Sequence, residues 1–277
     1  MLGLYAAIGA IVAGAGLTAL AIRLAPGRFL RRNFQGRTIP NACGLAFVLA
    51  ASGYSAAFAT MVPLHRTQAL LFLVVAAGFG ALGLIDDLYG DRTAGGLGGH
   101  FRALRSGKVT TGAVKAVGGV ALALVCGWWA DRSVAQAILA AVLIAGAANS
   151  LNLVDLRPGR CLALFFVGSL PVAACAPWAA PSHAWQSFSP SSFTVLCAIL
   201  LYIGERRAKF MLGDTGANSF GAVLGLGFAI FLPAPAQIVI AALILVLHAW
   251  TERHSISRTI EASSILRRID AKLGVRQ

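Results

Sequence analysis

Charged residues are scarce in this chain: Asp, Glu, Lys and Arg make up 12% of its 277 residues, against about 25% in an average soluble domain. Hydrophobic residues make up 58% of it. This composition excludes an ordinary soluble domain. It predicts an all-α, polytopic membrane protein whose apolar segments pack as one helical bundle.

The chain also has no cysteine pattern, no basic residues at its amino terminus and few acidic residues. Its five cysteines show neither a metal-binding spacing nor a disulfide pattern. No basic residue precedes Arg23, so we expect the first apolar run to be a membrane span and not a cleaved signal peptide. Ten acidic against 23 basic residues leave a net charge of +13. Basic loops beside an anionic lipid leaflet explain that charge, so no nucleic-acid partner is expected.

Apolar segments recur along the whole chain, and we expect about nine membrane spans, within a range of eight to ten. The bundle occupies residues 1–251. Residues 252–277 form an amphipathic tail of the same domain, on the membrane surface or against the cytoplasmic loops. The candidate spans are residues 3–24, 43–62, 68–85, 113–130, 134–151, 161–177, 193–204, 217–232 and 236–250.

The distribution of charge predicts the orientation of the bundle. If the connections alternate between two sides, 21 of the 23 basic residues fall on one side, and only Arg66 and Arg132 fall on the other. Basic loops face the cytoplasm, so the amino terminus is expected outside and the carboxyl terminus inside. All acidic residues except Asp131 share the cytoplasmic side. A cytoplasmic-face active site would explain their concentration there.

Asp86 and Asp87 end the third candidate span as two adjacent carboxylates. They repel each other, and at a helix C-terminus the dipole costs each charge about 0.3–1 kcal/mol. They could be a polar stop to a membrane helix, but Lys or Arg would serve that purpose better. The pair therefore predicts a metal or catalytic site.

Other polar residues lie beside apolar segments on the same predicted side. Lys115 could snorkel to the membrane surface or bind a phosphate. Asn149, Asn152 and Asp155 follow an i, i+3, i+6 row, so their side chains could converge on one helix face or simply join neighbouring helices.

Arg37 belongs to a basic first loop that anchors the bundle or contacts a phosphate. Residues 100–108 predict a short amphipathic surface helix.

The sequence Gly213-Asp214-Thr215-Gly216 opens the next apolar segment. Asp214 could be a plain N-cap, but a glycine-rich turn at a helix N-terminus is also a phosphate site, and Lys209 and its basic neighbours favour that interpretation. The later pair Gly221 and Gly225 predicts close helix packing.

The acidic and basic residues on this side together suit the binding of Mg²⁺ and phosphate. A reaction that fits them is the transfer of a phosphorylated group from a nucleotide to a membrane lipid.

The order of these motifs resembles the polyprenyl-phosphate N-acetylhexosamine-1-phosphate transferase superfamily. Its members include phospho-N-acetylmuramoyl-pentapeptide transferase and undecaprenyl-phosphate N-acetylglucosamine-1-phosphate transferase. The resemblance extends from about residue 37 to about residue 225. It is carried by Arg37-Thr-Ile-Pro-Asn41, Asp86-Asp87 with Gly90, Lys115, Asn149, Asn152, Asp155 and Phe210-Met-Leu-Gly213-Asp214-Thr-Gly216-Ala-Asn-Ser219.

The resemblance implies transfer of a sugar-1-phosphate from a UDP-sugar to polyprenyl phosphate, which releases UMP and serves cell-envelope glycan synthesis. It implies Mg²⁺, which Mn²⁺ can replace, and a prokaryotic plasma membrane, and it suggests a homodimer. Asp214 and Asp87 would hold the metal, and Asp86 or Asp87 would act as base or nucleophile. The implied substrate-binding residues are Arg37, Lys115, Asn149, Asn152, Asp155, Lys209 and Gly213.

The sequence departs from the family pattern at two places. The family motif Asp-Gly-x-Asp-Gly is replaced by Asp155-Leu-Arg-Pro158-Gly159, and a histidine-rich motif is missing from the last loop. A non-catalytic polyprenyl-lipid-binding or regulatory protein is therefore the main alternative. A secondary transporter would place ionisable groups near the midplane, and a CDP-alcohol phosphotransferase would show an Asp-Gly-x-x-Ala-Arg pattern; neither feature is present.

Overall fold

The computed structural model describes residues 2–90, 110–131, 133–179 and 189–275, and it is nearly all-α. The predicted surface helix at 100–108 lies outside the described residues. Twelve α-helices are described, together with a 3₁₀ turn at Pro63–His65. They are α1 (Leu2–Leu24), α2 (Pro26–Phe29), α3 (Leu45–Met61), α4 (Arg66–Tyr89), α5 (Thr111–Asp131), α6 (Val134–Val154), α7 (Arg160–Ala179), α8 (Pro190–Glu205), α9 (Gly213–Phe231), α10 (Ala234–Thr251), α11 (Ile256–Ala262) and α12 (Ser264–Leu273).

The nine predicted apolar segments coincide with α1 and α3 to α10. Among the described residues, five helical stretches are long and apolar enough to cross a membrane: Leu2–Leu24, Pro63–Tyr89, Thr111–Ala130, Val134–Val154 and Ala234–Thr251. Helices α3 and α8 are shorter apolar helices, as is the part Arg160–Ala176 of α7. A membrane protein with several apolar helices is thus supported, whereas nine spans and the orientation stay predictions.

Helix α9 is the centre of the bundle, and fifteen of its nineteen residues are buried. It packs against α3, α4, α6, α7 and α8. A Cβ on Gly221 would lie 2.5 Å from the Ala147 carbonyl oxygen, and one on Gly225 would lie 2.6 Å from the Ile144 Cα. This close approach of α9 to α6 confirms the packing predicted from the two glycines. Outer helices expose their apolar side chains instead, as with Val12 and Val246, each 65% exposed.

A small hairpin fixes the chain that enters α3. Strands β1 (Leu30–Arg32) and β2 (Thr38–Pro40) are antiparallel, with Leu30 opposite Pro40. The Met211 N–H donates to the Pro40 carbonyl at 2.8 Å, and the Gly44 N–H donates to the Leu212 carbonyl at 3.0 Å. These bonds hold the end of the hairpin beside the turn that begins α9.

Candidate functional site

Lys115 brings two carboxylates together at one end of the bundle. Its Nζ donates to the Asp86 carboxylate at 2.9 Å and also to the Asp214 carboxylate. Asp86 lies near the end of α4, Lys115 in the first turns of α5, and Asp214 at the start of α9. The lysine therefore does more than snorkel, because it bridges three helices through two ion pairs, and its contact with a phosphate stays a prediction.

Two further side chains donate hydrogen bonds to these carboxylates. The Asn152 Nδ2 donates to the Asp214 carboxylate at 3.3 Å, and the Thr111 hydroxyl donates to the other Asp86 oxygen at 2.6 Å. We call Asp86, Lys115, Asn152 and Asp214 the Lys115 cluster. Four helices contribute to it, so its geometry depends on their packing and not on one loop.

Asp87 has a different environment from its neighbour Asp86. One of its oxygens accepts from the Asp214 N–H at 3.0 Å and from the Asn41 amide at 3.3 Å. The other accepts from the Thr215 N–H at 2.8 Å and from the Thr215 hydroxyl at 2.6 Å. Two carboxylate oxygens offer about four lone-pair positions, and all are used. Asp87 thus caps the N-terminus of α9, whose dipole favours its negative charge.

Gly213 allows this cap to form. Its φ is +69°, and a Cβ there would lie 2.6 Å from an Asp87 carboxylate oxygen. Two N–H groups of the turn, on which the phosphate-binding interpretation depends, already donate to Asp87. The structure therefore gives Gly213 a conformational role, and its contact with substrate stays a prediction.

The amides of α6 join neighbouring helices, as one of the two interpretations predicted. Asn149 Nδ2 lies 3.4 Å from the His248 Nε2, and the Ser150 hydroxyl lies 3.2 Å from the same nitrogen. Asp155 falls just beyond α6 and so leaves the helical row. Burial and the negative charges of Glu205, Asp214 and Asp87 raise the pKa of the Asp155 carboxyl well above its usual value.

Arg37 and Lys209 are not brought into the Lys115 cluster. Both residues are exposed, Arg37 at the hairpin turn and Lys209 in the turn after α8. Neither side chain forms a hydrogen bond or ion pair with the described part of the chain. Their substrate-binding roles stay predictions.

A cavity of about 560 Å³ lies between α5, α6 and α10. Its polar end contains Lys115, Asn149, Asn152, Asn218, His248 and Glu252. Its remaining wall is largely apolar and includes Val120, Leu124 and Ile138, which are 50%, 39% and 53% exposed on the outside of the bundle. A membrane would cover that surface. A smaller cavity of about 200 Å³ between α7, α8 and α9 contains none of the predicted site residues.

Sequence reasoning missed several polar residues at this site. Asn41 and Thr215 lie within motifs quoted from the sequence, but no role was assigned to them. Thr111 and His248 lie at the ends of apolar helices and belong to no motif, so nothing local marks them. Asn218 also lines the cavity and was quoted only as part of the α9 motif.

A metal would meet an incomplete set of protein ligands here. Within the described ranges, no group of three or more His, Cys, Asp or Glu side chains could hold a metal ion. Asp86 and Asp214 nevertheless converge on one cation, the Lys115 ammonium. Mg²⁺ is often bound by one or two carboxylates together with substrate phosphates and water. The donor set therefore fits Mg²⁺ shared with a phosphorylated substrate, and not a closed protein cage.

No protein-family model and no curated protein sequence matches this chain. Its function is therefore inferred from the site residues and from the order of the motifs.

Proposed function

We propose that this protein is a Mg²⁺-dependent sugar-1-phosphate transferase of the superfamily that its motifs resemble. It transfers an N-acetylhexosamine-type sugar-1-phosphate from a UDP-sugar to polyprenyl phosphate, at the cytoplasmic face of a prokaryotic plasma membrane. The observation that carries the proposal is the position of Lys115, which lines the polar end of a largely apolar cavity and whose ammonium contacts the Asp86 and Asp214 carboxylates. Such a site suits one soluble phosphorylated substrate and one lipid.

The apolar wall suits the lipid substrate. From Lys115 to Leu124, helix α5 advances about 14 Å along the cavity. A polyprenyl chain could lie along Val120 and Leu124 while its phosphate meets the Lys115 ammonium. Because this wall belongs to the exposed side of the bundle, the chain can enter from the membrane and continue into it.

In the proposed reaction, an oxygen of polyprenyl phosphate attacks the β-phosphorus of the UDP-sugar. The bond from that phosphorus to the bridging oxygen breaks, and UMP leaves with the electron pair. A phosphate monoester has largely lost its second proton at pH 7, so the attack does not require a protein base. Lys115 orients the lipid phosphate and offsets its charge, and Asn152 holds the Asp214 carboxylate in place.

Mg²⁺ would be held by Asp214 and Asp86, with Mn²⁺ as a substitute. When bound, the metal would offset charge on the diphosphate of the donor. Asp87 is assigned the cap of α9 in this account, because its four hydrogen bonds use both of its oxygens. The superfamily suggests a homodimer, which stays a prediction.

A transfer assay tests the proposal. The full chain, purified in detergent, is given undecaprenyl phosphate, Mg²⁺ and a panel of UDP-sugars, and UMP release is followed. We expect release with at least one donor and a loss of about 10²-fold or more in Asp214→Asn and Lys115→Gln. Glu261→Gln removes an exposed carboxylate of α11 and should leave the rate unchanged.

The contrary result is also informative. If folded protein releases no UMP with any donor, the transferase proposal fails. If that protein still binds polyprenyl phosphate, the result supports the non-catalytic lipid-binding alternative.

A further inference from the structure

The carboxyl-terminal tail is fastened to the bundle by a buried ion pair. Arg160, the first residue of α7, donates from Nε and Nη2 to the two oxygens of Asp270 in α12, at 2.7 and 3.0 Å. Arg160 is 6% exposed and Asp270 is 7% exposed. The Arg160 Nη1 also donates to the Ser257 hydroxyl of α11 at 3.1 Å. One face of the tail therefore contacts the bundle.

The end of α12 makes a second attachment. The Tyr202 hydroxyl donates to the Leu273 carbonyl at 2.8 Å, and the Val275 N–H donates to the Arg206 carbonyl at 2.9 Å. Tyr202 lies in the last turn of α8, and Arg206 follows that helix. Since Arg160 begins α7, both attachments are at helix ends. Helix α12 is thus held at the level where α7 and α8 leave the apolar part of the bundle.

The other side of α12 is apolar and basic. Ile265 and Ile269, one turn apart, are 68% and 53% exposed. Arg268 and Lys272 are exposed too, and at 100° per residue they lie on one flank of the isoleucine stripe. An apolar stripe beside basic residues, at the level of the membrane surface, is typical of a helix that lies in the lipid interface.

We propose that α12 binds the anionic lipid surface through Ile265, Ile269, Arg268 and Lys272, while Asp270 holds its opposite side to Arg160. Charge complementarity identifies the occupant: a cytoplasmic leaflet with anionic lipids attracts basic side chains within reach of it. The chain reaches α12 from α10, a candidate span, through only the short helix α11, so the lipid surface is close to the stripe. Lipid anchoring of α12 would stabilise the start of α7 and the loop that carries Asp155.

Cysteine accessibility tests this proposal without any catalytic activity. The Ile269→Cys variant and the matched control variant Ala271→Cys are each reconstituted in nanodiscs that hold one protein copy. The discs contain either phosphatidylcholine alone or phosphatidylcholine with phosphatidylglycerol. Ala271 is exposed and lies about 200° from Ile269 around the helix. A membrane-impermeant maleimide is added, and mass spectrometry of the tail peptide separates its labelling from that of the native cysteines.

In anionic discs we expect Ile269→Cys to react about fivefold more slowly than Ala271→Cys, and the difference to shrink in neutral discs. Removing the charges with Arg268→Gln and Lys272→Gln should restore labelling towards the rate of Ala271→Cys, by about fivefold at most. Ile265→Cys provides a second reporter if Ile269→Cys fails to fold. Equal labelling of the stripe and of Ala271→Cys in anionic discs would overturn the proposal, as would protection that does not depend on lipid charge. Protection that appears only with two copies per disc would assign the stripe to a protein contact instead.

Discussion

The Asp87 carboxylate in α4 accepts the backbone N–H of Thr215 in α9 at 2.8 Å, so one helix of the bundle caps another. Its neighbour Asp86 points to Lys115 instead, at 2.9 Å. The adjacent carboxylates therefore have separate partners, a helix N-terminus and an ammonium group. This division removes the repulsion that two unpaired charges at a helix end would suffer.

Replacing the two carboxylates separately should give different defects. Asp87→Asn presents an amide N–H to backbone donors, and we expect it to lower the free energy of unfolding by about 1–2 kcal/mol, as loss of a cap does. Asp86→Asn should abolish transfer with a smaller loss of stability. Thermal unfolding in detergent, alongside the transfer assay, checks both variants. Equal stability of Asp87→Asn and wild type would contradict the capping role.

Gly213→Ala should disturb the same cap from the other side. Alanine is strained at a φ of +69°, and its Cβ would meet the Asp87 carboxylate at 2.6 Å. We expect a loss of about 1–3 kcal/mol in unfolding free energy, with reduced transfer. The control is Gly53→Ala in α3, where a Cβ meets no atom within 4 Å. That variant should be neutral or slightly more stable, by up to about 1 kcal/mol. Similar stabilities of the two variants would argue against the cap geometry.

The sequence predicted the helices well because apolar segments are a local signal. All nine apolar segments proved helical, and Gly221 and Gly225 predicted the contact between α9 and α6. Asp86, Lys115, Asn152 and Asp214 were selected as site residues from their motifs and their shared side of the membrane. The structure brings these four together.

Lys115→Gln tests whether positive charge is required between Asp86 and Asp214. Without the ammonium, the two carboxylates repel each other, and a divalent cation meets no competitor. Mg²⁺ should therefore raise the melting temperature of Lys115→Gln more than that of wild type, because ligand binding to the folded state stabilises it. Asp214→Asn should show little Mg²⁺ effect. Absence of any Mg²⁺ shift in wild type and Lys115→Gln would contradict the proposed metal ligands.

Asp270→Asn should loosen the tail. The change leaves the buried Arg160 guanidinium without its counter-charge, and breaking a buried ion pair costs about 3–5 kcal/mol. Hydrogen exchange should accelerate in residues 264–275 and 155–160, since both segments meet at Arg160. Glu261→Gln serves as the control because its carboxylate is exposed. Unchanged exchange in Asp270→Asn would show that the tail is held by other contacts.

Long-range pairings could not be predicted from the sequence. Arg160 and Asp270 are 110 residues apart, and Asp87 and Thr215 are 128 apart, so no local pattern relates them. The phosphate interpretation of the Gly213 turn depended on free N–H groups, but a carboxylate from another helix occupies two of them. Lys209 was selected for its charge beside the Gly213 turn, and Arg37 for its basic loop and its motif. Neither signal determines which way a surface loop faces.

The most direct test of the central claim is mass spectrometry of the lipid after incubation with Mg²⁺ and the UDP-sugar panel. The account predicts a polyprenyl diphosphate sugar whose amount equals that of the UMP released, and the loss of both products in Asp214→Asn. An unchanged polyprenyl phosphate, recovered from folded wild-type protein with every donor, would contradict it.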